Sequence, residues 1–124
     1  MKMSKLKILP PTLREKKRYV AFELFSENKI NKDDFIVFMW NNLINLYGEI
    51  TCGNINLWLI SFKYIEHKNN RFKYKCIVKC QRGYEKNIHT MLASIIRYKN
   101  MRLVAHTLAT SGTIHSLDKK YDLL

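Results

Sequence analysis

The side chains able to act on a ligand in this chain are mostly cationic. Lys and Arg total 22 against 10 Asp and Glu in 124 residues, a net charge of +12 with histidine neutral. The cations are clustered: Arg14, Lys16, Lys17 and Arg18 lie within five residues, Lys73, Lys75 and Lys79 fall at even spacing, Arg82 follows, and Lys119-Lys120 stands near the C-terminus. Side chains alternate across a strand. A strand over 71–80 therefore puts Lys73, Lys75, Ile77 and Lys79 on one side and Phe72, Tyr74, Cys76, Val78 and Cys80 on the other. A row of ammonium groups suits a phosphate backbone, which it meets as point charges with little readout of base identity. A self-repelling excess of this size is easiest to reconcile with a polyanionic partner, and nucleic acid fits best.

Other reactive groups form no catalytic set. Neither Asp-x-Asp nor His-Glu-x-x-His spacing occurs, and no glycine-rich phosphate loop surrounds Leu9-Pro10-Pro11-Thr12. His67, His89, His106 and His115 fall in a loop, on the polar side of a helix, in a strand and near the C-terminus, so they do not converge. Cys76-x-x-x-Cys80 with Cys52 falls short of four zinc ligands, and its placement on an apolar strand face reads as buried thiols. No catalytic residue, metal site or polypeptide-bound cofactor is expected. Ser111-Gly112-Thr113 has two readings: backbone N–H donors for a phosphate at the start of the last helix, or a plain turn and N-cap.

The elements that must carry these groups follow from periodicity. A hydrophobic fraction of 47% in 124 residues is one domain's worth of core, and the longest apolar runs are far too short to cross a bilayer. The N-terminus lacks the apolar stretch of a signal peptide, so a cytoplasmic protein with no membrane association is expected. Residues 1–17 read as a basic arm broken by Pro10-Pro11, and 18–124 as a single domain. Arg18 to Phe25 reads as a strand with Val20, Phe22 and Leu24 on one face. A helix capped by Asn31 and stopped by Gly48 gathers Phe35, Ile36, Met39, Trp40, Leu43, Leu46 and Tyr47 into one stripe. Strands over 57–64 and 71–80 flank the polar turn His67-Lys-Asn-Asn70. A second helix over 84–99 buries Tyr84, Ile88, Met91, Leu92, Ile95 and Ile96. A fourth strand spans 101–109, and a short amphipathic segment holds Ile114, Leu117 and Tyr121.

The order β-α-β-β-α-β predicts an α+β fold of split β-α-β type, ferredoxin-like or RRM-like. Its sheet is four-stranded and antiparallel, with both helices on one face, a short C-terminal helix, and the second sheet face left open. Arg71-Phe-Lys-Tyr-Lys-Cys-Ile-Val78 lacks the glycines of the RNA-recognition signature and turns its aromatics toward the helices, so base stacking on this strand is not expected.

Three blocks in order carry a resemblance: Leu9-Pro-Pro-Thr-Leu-Arg-Glu-Lys-Lys-Arg-Tyr19, Lys79-Cys-Gln-Arg-Gly-Tyr84 and Ser111-Gly-Thr-Ile114. Together they resemble the archaeal and eukaryotic ribonuclease P protein component 2 family over nearly the whole chain. The resemblance implies a subunit of the ribonucleoprotein that removes the 5′ leader of precursor tRNA. In that family the RNA subunit and its Mg²⁺ break the bond, and the polypeptide alone is not catalytic. Its implied partners are ribonuclease P RNA, precursor tRNA indirectly, and ribonuclease P protein component 3 with other ribonuclease P proteins. A homodimer within a two-plus-two assembly is also implied. The residues expected to meet RNA are Arg14, Lys16, Lys17, Arg18, Lys73, Lys75, Lys79, Arg82, Gly112, Thr113, His115, Lys119 and Lys120. The family often has Arg where this chain has His115, so a permanent guanidinium contact does not carry over there. Two other readings stay open: a general single-stranded RNA-binding module, and a protein-interaction scaffold whose charge serves solubility.

Overall fold

The computed structural model describes residues 17–95, 97–98 and 101–121, the last four of these as backbone. In chain order the elements are β1 Lys17–Ser26, α1 Lys32–Ile55, β2 Trp58–Lys68, β3 Arg71–Gln81, α2 Glu85–Ser94, β4 Arg97–Tyr98, β5 Met101–Ser111 and α3 Ile114–Tyr121. The strands form one sheet in the order β2-β3-β1-β5-β4, and every neighbouring pair is antiparallel.

Five strands replace the four expected. The additional one comes out of the second helix, which ends at Ser94 and not near residue 99. Ile95 is already extended, at φ −72° and ψ 120°. A β-branched residue gives up little by leaving the helix, and Arg97 and Tyr98 then pair with Arg102 and Met101 of β5.

The first helix begins where its cap predicts. Asn31 Oδ1 accepts hydrogen bonds from the backbone N–H of Asp33 at 2.8 Å and of Asp34 at 3.2 Å. Gly48 kinks this helix without stopping it. Its φ of 83° and ψ of 166° break the helical path, yet the helix resumes and runs to Ile55. Burial of Cys52 and Ile55 in the main core holds that second piece in place. Leu46 leaves the expected apolar stripe and is 44% exposed, while Phe35, Met39 and Leu43 are buried.

The main core lies between one sheet face and the two long helices. Val20, Phe22 and Leu24 of β1, Cys76 and Val78 of β3 and Leu103 of β5 meet Phe35, Met39 and Leu43 of α1 and Ile88, Met91 and Leu92 of α2. The Phe35 ring is central to it, 6.2 Å from Phe22 and 5.5 Å from Phe62 between centroids.

The second sheet face is not open throughout. α3 lies on it, burying Leu117 against Ala21 and Ile77, with Ile60, Leu108, Ala109 and Ile114 packed around them. Alanines at positions 21 and 109 leave room for the helix, and burying a leucine such as Leu117 contributes roughly 1.5–3 kcal/mol. α3 thus divides this face into a covered half and a bare half, and the bare half is where a ligand can reach the sheet.

Candidate nucleic-acid interface

On the bare half of the second face, strand register builds rows that run across the sheet. One row is Lys63 of β2, Lys75 of β3, Glu23 of β1 and His106 of β5, each the ladder partner of the next. Beyond it lies Glu66, Lys73, Phe25 and Val104. Arg71 and Arg102, each two residues further along its strand, extend the same face past Phe25. Like charges directly opposed across a ladder, as Lys63 and Lys75 are, destabilise it, and Glu23 on the other side of Lys75 supplies an opposite charge.

Glu23 is the counter-charge within this surface. Its carboxylate is 3.1 Å from Lys73 Nζ and 3.8 Å from His106 Nδ1. Lys73 is thereby held in place while keeping part of its surface exposed. Its ammonium also lies 6.0 Å from the centroid of the Phe25 ring. At the other end of β3, Lys79 sits over the Trp58 ring at 5.9 Å. Trp58 is 56% exposed, and its indole N–H donates to Asn56 Oδ1 at 2.9 Å.

A second cationic group gathers at the opposite end of the sheet, where β1 begins and β3 and β5 finish. Lys17 pairs with Gln81 and Arg18 with Cys80, which brings Arg82 to the same end. Arg18 Nε is 3.9 Å from a Glu85 carboxylate oxygen, and its Nη1 donates to the Lys17 carbonyl at 3.0 Å. The Arg18 guanidinium also lies over Gly112, where a Cβ would come within 3.4 Å of Nη1. The Ser111-Gly112-Thr113 turn follows the capping reading: Thr113 N–H donates to Ser111 Oγ at 3.2 Å and Ser116 N–H to Thr113 Oγ1 at 3.3 Å. Those groups start α3, and His115 is exposed on its first turn.

The sequence-derived set is therefore split in two. Lys73 and Lys75 lie on the bare half-face, while Lys17, Arg18, Arg82, Gly112 and Thr113 lie at the far end, as does Lys79 beside Trp58. Arg14 and Lys16 lie outside the described residues, and the side chains of Lys119 and Lys120 lie outside the described side chains. Sequence reading missed Phe25, Lys63, Arg71 and Arg102. The signal was present: alternation sets Phe25 opposite Val20, Phe22 and Leu24, and sets Arg102 opposite Met101 and Leu103.

The three cysteines are buried and free. Burial pushes the thiols of Cys52 and Cys76 up, Cys76 strongly. Cys80 is pushed up to about 11 by burial and by the Glu85 carboxylate, partly offset by Arg18. Buried protonated thiols are inert as nucleophiles and poor as metal ligands. Among the described residues no cluster of His, Cys, Asp and Glu is arranged to hold a metal ion, and no helix is long and apolar enough to cross a membrane.

The sequence that builds this sheet and its α3 cover matches a known family over most of its length. The model of the Rpp14/Pop5 family matches residues 18–122. This chain belongs to the Rpp14/Pop5 family. Among its relatives is ribonuclease P protein component 2 of Methanobrevibacter smithii, 36% identical over 115 residues, which cover 93% of this chain and 96% of the relative. The protein of that name from Methanothermobacter thermautotrophicus is 34% identical over 94% of this chain and 93% of its own length. That from Pyrococcus horikoshii is 36% identical over 96% and 93%. The three-block resemblance thus extends to whole-chain similarity. As a member of the Rpp14/Pop5 family, the chain carries the family match from β1 into the residues that follow α3.

Proposed function

We propose that this chain is a protein subunit of ribonuclease P, the ribonucleoprotein that removes the 5′ leader of precursor tRNA. The observation that carries the reading is the full-length similarity to ribonuclease P protein component 2, over 93–96% of this chain. The bare, cation-rich half-face supports it physically. The subunit contributes no reacting group. Its ammonium and guanidinium groups lower repulsion between closely packed RNA strands, and so favour the folded RNA in which Mg²⁺ is held and the phosphodiester is hydrolysed. The strand order β2-β3-β1-β5, with α1 and α2 sharing one face, supports the ferredoxin-like assignment. Ribonuclease P protein component 3 is the partner protein in this reading, within a two-plus-two assembly in the cytoplasm.

The test is reconstitution of precursor-tRNA cleavage from RNA subunit and partner proteins, with and without this chain, over a salt series. The expected result is stimulation that fades as salt rises, and no cleavage by the polypeptide alone. A chain that stimulates nothing at low salt, or that cuts precursor tRNA without the RNA subunit, overturns the reading.

A further inference from the structure

The bare end of the second face contains a feature that a row of lysines does not account for. Phe25 is an aromatic residue on an otherwise polar surface, beyond the reach of α3, with Val104 beside it 40% exposed. Two adjoining clefts meet at this ring, with volumes of about 170 Å³ and 420 Å³. Phe25, Asn69 and Arg71 line both clefts; Arg102 and Glu27 add to the smaller, and Lys68, Lys73 and Glu66 to the larger, so cations outnumber carboxylates in each. The turn that shapes them is tight. Asn69 and Asn70 both take positive φ, 56° and 61°, which closes β2 on β3 in two residues and holds the Asn69 side chain at the mouth.

The chemistry of this lining is that of a nucleotide site. A ring offers a stacking surface to any base, guanidinium groups on two flanking strands offer paired donors to a phosphate, and a side-chain amide offers one donor group and one acceptor to a base edge. The larger cleft falls within the range of small-ligand pockets, roughly 300–1,000 Å³, too small for a duplex. A paired base is buried in its own stack, whereas a loop or bulge base can be splayed onto an aromatic side chain. Lys73, tied to Glu23 at 3.1 Å, lines one edge of the site with its ammonium 6.0 Å from the ring centroid.

We propose that the Phe25 cleft binds one unpaired nucleotide of a single-stranded RNA segment, its base on the Phe25 ring and its phosphate between Arg71 and Arg102. The proposal rests on the reading that the chain works on RNA, and it adds a stacking site to what was otherwise a purely electrostatic surface.

The test uses the full chain and a fluorescent hexauridylate carrying one 2-aminopurine, at low salt. Binding is expected to quench the 2-aminopurine. Phe25→Leu keeps the apolar volume and is expected to abolish the quenching and weaken binding about 5- to 100-fold, the worth of one stacked base. Phe25→Trp is expected to preserve both. Arg102→Gln, at an exposed position, is expected to weaken binding while leaving the quenching of the bound fraction intact. Thermal melting of each variant separates loss of the site from loss of the fold. Equal binding and quenching in Phe25→Leu and the parent overturns the proposal, as does failure of the parent to bind hexauridylate. Phe25-dependent binding by a chain that leaves precursor-tRNA cleavage unstimulated would sustain the cleft and remove the ribonuclease P role.

Discussion

At the scale of single residues, the cysteines separate two kinds of polar group in this molecule. Cations stay at the surface where an anion can reach them, whereas the thiols are sealed inside and hold their protons. Cys80 titrates at about 11 in the folded chain against an ordinary value of 9.0, because burial and Glu85 both disfavour the thiolate. Between those two pH values the folded state binds more protons than the unfolded state, so stability falls as pH rises through the window. Below pH 9 the thiol is protonated in both states and contributes no pH dependence. Urea midpoints are accordingly expected to drop between about pH 9 and 11. In Cys80→Ala the drop should be shallower, with Cys76 supplying part of what remains. An unchanged slope in that variant would mean that Cys80 is solvated. A thiol-specific reagent added at pH 8 to the native chain should modify the cysteines only as fast as the chain opens.

At the scale of elements, Gly48 and Gly53 show how backbone conformation, and not space, decides a substitution. Neither has a neighbour within 4 Å of where a Cβ would stand. Gly48 sits at φ 83° in the kink of α1, in a region almost reserved for glycine, so Gly48→Ala should destabilise by about 1–3 kcal/mol. Gly53 lies in the resumed helix, so Gly53→Ala should stabilise by roughly 0.5–1 kcal/mol. Opposite signs in paired denaturation curves are the expected outcome; equal signs would mean that the kink is not held in solution. α3 makes a separate prediction. Leu117 anchors it on Ala21 and Ile77, and Leu117→Ala should cost about 2–5 kcal/mol locally, detected as early hydrogen exchange in α3 while β1 and β3 stay protected. Uniform loss of protection would instead make α3 part of one cooperative unit.

These elements also show what was legible beforehand. Alternation and helical spacing located β1, α1, β3, α2 and β5, because each buries one clear face, whereas β2, with no fully buried residue and apolar side chains on both faces, was located without showing which face meets the helices. They could not foresee the end of α2, since Ile95 suits helix core and strand alike and the choice is made by pairing with β5. Nor did they place α3: Ile114 and Leu117 announce an apolar face, but only the alanines across the sheet say where it docks. The site was half legible for the same reason. Lys73 and Lys75 declare a basic strand face, whereas Phe25, Arg71 and Arg102 become one cleft only when β1, β3 and β5 are set side by side.

At the scale of the whole molecule, the question is how the excess of +12 is shared between the folded sheet and the basic segment before it. Residues 1–16 hold five Lys and Arg and one Glu, so they carry +4 and leave +8 on residues 17–124. Counterion release makes the logarithm of affinity fall with the logarithm of salt, by about 0.7–0.9 for each phosphate neutralised. The slope therefore reports how many phosphates each part meets. If the segment alone met RNA, a chain of residues 17–124 would bind ribonuclease P RNA with almost no slope. The geometry argues otherwise, because Lys63, Lys75, Arg71 and Arg102 are displayed on a sheet that requires no ordering on binding. Deleting residues 1–16 should weaken low-salt binding and yet retain more than half of the slope, measured by filter binding between about 50 and 500 mM salt. Adding Arg71→Glu and Arg102→Glu to the shortened chain should flatten it further, with Lys63, Lys73 and Lys75 keeping part of what is left. A shortened chain that binds independently of salt would shift the electrostatic work to residues 1–16 and leave the bare half-face without its polyanion.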